Sequence, residues 1–199
     1  LFYVTLASGP CTKVMRLKGC IGKKRVNYDI SSIRHNNSID DFTMNKTTVT
    51  DGEKERLVVV STKEKAVREF PALAKEAGFQ PTSYRLVLLK PNVCGMYPPS
   101  LDLLRAVVQY AKPYSKTFII GETPSTMHSP NERFESLGIK RLTRQLEITT
   151  RDLMDDMVVM KQVPKPHAMR KIPLPSTVAE ADLIVNCPGL GTHGNTLLT

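Results

Sequence analysis

From residue 57 onward, short apolar runs alternate with stretches whose apolar positions recur every three or four residues. Residues 57–61 (LVVVS), 84–90 (YRLVLLK), 116–121 (KTFIIG) and 182–186 (DLIVN) are β-branched runs of strand length, of the kind that are buried on both faces. Between them lie helical patterns. Ala66, Val67, Phe70, Leu73, Ala74 and Ala77 form one apolar face, with Thr62 placed to cap the helix, Pro71 predicting a kink or break, and Gly78 a stop. Leu103, Leu104, Val107, Val108 and Ala111 form a second face behind a capping Ser100. A helix over 131–137 stops at Gly138, and a further helical stretch covers 139–146. The run MVVM within 153–163 predicts a strand, 168–173 a short antiparallel one, and Ser176 a capped helical turn before the final strand.

Strands that alternate with helices predict an α/β fold: a mainly parallel sheet with helices on both faces. Residues 1–43 have a different texture. They lack sustained periodicity, and 31–41 (SSIRHNNSIDD) is polar and turn-rich. They are expected to be a poorly ordered extension or a non-native leader read in frame, with Met44 as the start and 44–199 as the α/β domain. No closing element follows the last strand before Thr199. The domain is therefore expected to be a fragment, incomplete at its C-terminus.

Composition narrows the class. The hydrophobic share of 41% and charged share of 24% are ordinary for a globular chain. No apolar run approaches the roughly 20 residues that span a bilayer. Residues 1–9 lack the basic start of a signal peptide, so a cytoplasmic protein with no membrane partner is expected. Cys11, Cys20, Cys94 and Cys187 match no zinc or CxxC spacing and read as isolated thiols in a reducing compartment. The net charge of +9 permits acidic ligands, but the basic residues are not interleaved with aromatics, which speaks against nucleic acid as partner.

Ligands of open parallel sheets bind beyond the carboxyl ends of the strands. Three strands end in polar, Gly- or Pro-punctuated loops. The first offers Lys90, a point charge suited to phosphate or carboxylate, and Asn92, which serves either a ligand or its own turn. The second offers Glu122, a candidate general base or metal ligand, followed by Thr123, Ser125, Thr126 and His128. The third offers Thr192, His193, Asn195 and Thr196 among Gly189, Gly191 and Gly194, where the backbone can approach a ligand and a histidine can act as acid, base or metal ligand. The expected site joins His193 and Glu122 as catalytic groups with Lys90, Asn92, Thr192, Asn195 and Thr196 as ligand-binding groups, around a small anionic molecule. The residues assign no metal.

These loops also carry a resemblance. Residues 88–93 (LLKPNV), 118–125 (FIIGETPS) and 181–199 (ADLIVNCPGLGTHGNTLLT) resemble, in order and spacing, the domain-of-unknown-function family 362, a group of bacterial and archaeal proteins. Many members have a lysine directly before the Thr-His pair, where this chain has Gly191; an anion-binding role of that lysine would here be lost or pass to Lys90. Members usually continue past the threonines into a helix containing Lys-Asn. Some carry ferredoxin-type modules. The resemblance therefore implies an alternative function, a redox protein whose iron-sulfur cluster module or ferredoxin-type partner lies outside these residues.

Overall fold

The computed structural model describes residues 2–8, 13–19, 57–60, 67–76, 79, 81–95 and 98–188. Four of its strands form the parallel core of a larger sheet: β4 (Tyr84–Lys90), β5 (Ser115–Glu122), β6 (Thr149–Asp152) and β9 (Leu183–Asn186). Their order across the sheet is β9-β4-β5-β6. The registers align the carboxyl ends, with Lys90 opposite Asn186, Leu89 opposite Ile120, and Glu122 opposite Asp152. The sheet continues past β9 through β1 (Phe2–Ser8), β2 (Lys13–Gly19) and β3 (Leu57–Val60). β1 runs parallel to β9, and the β1–β2 and β2–β3 pairs are antiparallel. The leading segment thus supplies two strands where its sequence shows no strand period; residues 20–43 and the boundary at Met44 lie outside the described residues.

The alternating side chains of the core strands divide between two faces. Val87, Leu89, Phe118, Ile120, Leu183 and Val185 are buried against four helices: α1 (Phe70–Glu76), α2 (Leu101–Ala111), α3 (Pro130–Ser136) and α4 (Ile139–Gln145). From α2 come the five apolar residues of the helical pattern, all buried, and the Ser100 hydroxyl caps it by accepting from the Leu103 amide at 3.4 Å. Pro71 falls in the first turn of α1, where a missing N–H costs nothing, so the helical pattern breaks before it. Gly138, at φ 74°, makes the left-handed turn that separates α3 from α4.

On the other face Leu88, Ile119 and Ile184 pack with Leu153, Ala181 and Val178. Val178 belongs to a short helix, α5 (Ser176–Glu180), immediately before β9. Ser176 does not cap α5, as its sequence position predicts; the cap residue is Pro175, which has no side-chain donor or acceptor to offer. The buried carboxylate of Asp156 supplies the cap instead, accepting from the Thr177 amide at 2.9 Å while Arg151 pairs with it at 2.9 Å. Burial pushes this carboxyl up, but the hydrogen bonds from Thr177 and Arg151 outweigh it and hold it below the usual carboxylate range.

The remaining strands, β7 (Val158–Gln162) and β8 (Lys171–Pro175), form a separate antiparallel ribbon. The MVVM run is therefore a strand, as its composition predicts, but it stays out of the core. Among the described residues no helix is long and apolar enough to cross a membrane.

Candidate functional site

Helix α2 leads from β4 to its neighbour β5 across one face, whereas α5 leads into β9, on the other side of β4, across the opposite face. The direction of winding reverses between β4 and β9. In open parallel sheets such a switch point is where ligands bind, beyond the carboxyl ends of the strands. Lys90 is the last residue of β4, and its carbonyl accepts the Cys187 amide at 2.8 Å, which ties the two strand ends together.

At the end of β5, Glu122 is 1% exposed, an unusual place for a carboxylate unless it is paired. Three donors meet it. The Lys90 ammonium pairs with Oε1, which also accepts the Thr123 amide at 2.9 Å, and Oε2 accepts the Val93 amide at 3.2 Å. The Glu122 carbonyl accepts the Leu153 amide at 2.9 Å. One side chain therefore ties β5 to the end of β4 and to the loop beyond it. The Lys90 side chain remains 32% exposed, with one ammonium proton directed to Glu122 and two further donors on the same nitrogen.

The loop after β4 is held from several sides. Asn92 has φ 57°, a left-handed conformation that asparagine tolerates better than most residues. Its carbonyl accepts the Gly95 amide at 3.2 Å, and its side chain lies across Gly95, where a Cβ would come within 3.0 Å of it. Arg133 of α3 donates through Nε to the Val93 carbonyl at 2.9 Å. Nothing in the spacing of the sequence marks Arg133, because its role depends on where α3 packs. Cys94 is buried in this loop, and burial, then the charge of Glu122, pushes its thiol above the ordinary range. Burial alone does the same to Cys187. Both are free thiols.

Of the predicted residues, the fold brings together Lys90, Asn92 and Glu122. In the loop after Glu122, Ser125 and His128 bond each other, with the Ser125 amide donating to the His128 carbonyl at 3.0 Å and the His128 amide to the Ser125 hydroxyl at 3.1 Å. Thr192, His193, Asn195 and Thr196 lie outside the described residues, in the segment that follows β9. Among the described residues no group of three His, Cys, Asp or Glu side chains is placed to hold a metal.

The opposite edge of the sheet has its own clamp. Asp182, just before β9, accepts the Arg85 amide at 2.7 Å and the Leu86 amide at 3.0 Å, and pairs with the Arg85 guanidinium at 3.5 Å. The Leu86 amide foremost, then the Arg85 amide and guanidinium, hold its carboxyl below the usual range against a smaller effect of burial. An open, shallow depression lined by Ser83, Tyr84, Arg85, Glu180 and Asp182 lies there.

No curated protein and no solved structure matches the chain. A family model does match, over residues 87–199, more than half of the chain, and its span takes in the Lys90 strand end, the Glu122 strand end and the aspartate-led strand with the loop beyond it. The chain belongs to the family described as a domain of unknown function, DUF362.

Proposed function

We propose that this domain binds, and acts on, a small anionic ligand at the carboxyl ends of its parallel strands, at the switch point between β4 and β9. The observation that carries the proposal is Lys90. Its ammonium stands at the switch point, partly exposed, and is aimed by a buried carboxylate that also accepts the Thr123 and Val93 amides. A lysine held in this way is a preorganised point charge with donors left for phosphate or carboxylate oxygens. Glu122 then positions Lys90 and the loop. Proton transfer falls to His193, which follows β9 in sequence with Thr192, Asn195 and Thr196 beside it. The free, buried thiols fit a reducing compartment, and we place the protein in the cytoplasm.

The test is a thermal-shift screen with inorganic phosphate, short dicarboxylates and mononucleotides. A ligand at a hundredfold excess over its Kd should raise the melting temperature by about 5–10 °C. The Lys90→Ala/His193→Ala double variant should lose that shift; an unchanged shift in a folded double variant overturns the reading.

The redox alternative draws no support from the described residues. That alternative places its cluster module or ferredoxin-type partner outside these residues, and Cys94 and Cys187, buried in the apolar core, are not its ligands. Stoichiometric iron in the anaerobically purified protein would revive it.

A further inference from the structure

Among the described residues, the β7–β8 ribbon has one closed edge and one open edge. The Val163 amide donates to the Arg170 carbonyl at 2.9 Å, and the Ser176 amide to the Met157 carbonyl at 2.8 Å. Hydrogen-bonded pairs alternate with non-bonded ones along an antiparallel ladder. Within this register, Lys161–Ile172 and Val159–Leu174 are therefore the bonded pairs, while Met160–Pro173 and Val158–Pro175 turn their backbone groups outward. On β8 two of the outward positions are prolines, which have no amide to donate, so this edge is closed to a further strand. On β7 the outward groups belong to Val158, Met160 and Gln162, and β7 pairs with β8 alone among the described strands.

The open edge is flanked by apolar and basic side chains. Val158 is 67% and Met160 56% exposed, and both point to one face of the ribbon, with Pro173 and Lys171 beside them. Lys161 and Ile172 stand on the other face. From Met157 to Pro175 there are four basic residues, Lys161, Lys165, Arg170 and Lys171, and no Asp or Glu. A second copy of so basic a ribbon would meet like charge. The stretch has no Phe, Tyr or Trp on which bases could stack, so exposed valine and methionine gain little from nucleic acid.

We infer that β7 is a docking edge for an extended acidic segment of a partner protein, which adds to the ribbon as a third strand. Main-chain hydrogen bonds to Val158, Met160 and Gln162 give the affinity; alternate apolar residues of the segment meet Val158 and Met160 on one face, and its acidic residues meet Lys161 on the other. This inference does not depend on the anion site.

The experiment titrates the full chain into a fluorescein-labelled peptide of alternating glutamate and valine, followed by fluorescence anisotropy. Binding should weaken at least about tenfold for the lysine–valine counterpart and for the same peptide N-methylated at alternate amides. Met160→Pro removes an outward donor without touching a ladder bond, and should weaken binding to the same degree. The N-methylated peptide gives this answer without altering the protein, so it decides the matter if that variant does not fold. Failure of the glutamate–valine peptide to bind overturns the inference, as does undiminished binding of the N-methylated peptide. Concentration-dependent dimerisation that Met160→Pro abolishes would also overturn it, by making a second copy the occupant.

Discussion

At the scale of single residues the molecule depends on a few carboxylates held by backbone amides and basic side chains. Glu122 is the most consequential. Without its charge, the Lys90 ammonium is left half-buried and uncompensated, and a broken buried pair costs more than the pair itself contributes. Glu122→Gln should therefore destabilise the fold by about 2–3 kcal/mol in urea unfolding, the low side of the usual range because Lys90 is partly exposed. Lys90→Met/Glu122→Gln should cost less than the two single changes added together; simple additivity would show that the two groups do not interact. Asp156 and Asp182 act on the pH dependence of stability. Both carboxyls lie below their ordinary value of 3.8 in the folded protein, so their contributions are complete above about pH 4 and are lost as the pH falls through the lowered folded values. The urea midpoint should fall with acidification in that window, and Asp156→Asn should lower stability at neutral pH while flattening the acid limb. An equally steep acid limb in the variant would assign the effect elsewhere. The sequence marks Glu122 and Lys90 as strand-end residues worth attention. That they form one unit follows only from β4 and β5 being neighbours.

At the scale of elements, the strands that sequence reveals are those whose burial is written into their side chains. β4, β5 and β9 are continuous apolar runs because both of their faces are covered. β6 (Thr149–Asp152, TTRD) escapes such a reading because an edge strand is held by its backbone ladder and needs no apolar run. The MVVM run errs in the opposite sense: β-branched composition marks a strand, but not whether the strand enters the core. Gly121 is a further case, since its sequence position marks only the end of a strand. In the fold a Cβ there would lie 2.7 Å from Leu88 Cδ1 and 2.9 Å from Leu153 Cδ2, both side chains being buried in the second core face. Gly121→Ala should cost about 1–3 kcal/mol by overpacking. It should also displace Glu122 next to it, so that Glu122→Gln costs less in the Gly121→Ala background than in the parent protein. A change under about 0.5 kcal/mol would mean that Leu88 and Leu153 repack freely.

At the scale of the whole molecule, the two edges of the parallel sheet have different tasks. At the amino edge, Asp182 locks β9 in register against β4, a structural role for the residue that leads this strand. At the carboxyl edge the ends of β4 and β9 stay bonded through the Lys90 carbonyl and the Cys187 amide, and the Lys90 ammonium is left partly exposed. The residues after β9 complete this account from sequence alone, since His193 and its neighbours lie outside the described part of the chain. The central claim is that an anion binds at the carboxyl edge through Lys90. Site-resolved amide NMR tests it most directly, during titration of the labelled protein with whichever of phosphate, dicarboxylate or mononucleotide stabilises it in the thermal screen. The account predicts shifts at Asn92, Val93, Gly95 and Cys187 that vanish in Lys90→Met while the rest of the spectrum is kept. Shifts confined to the Arg85–Asp182 depression at the opposite edge, or shifts at the carboxyl edge that survive Lys90→Met unchanged, would contradict it.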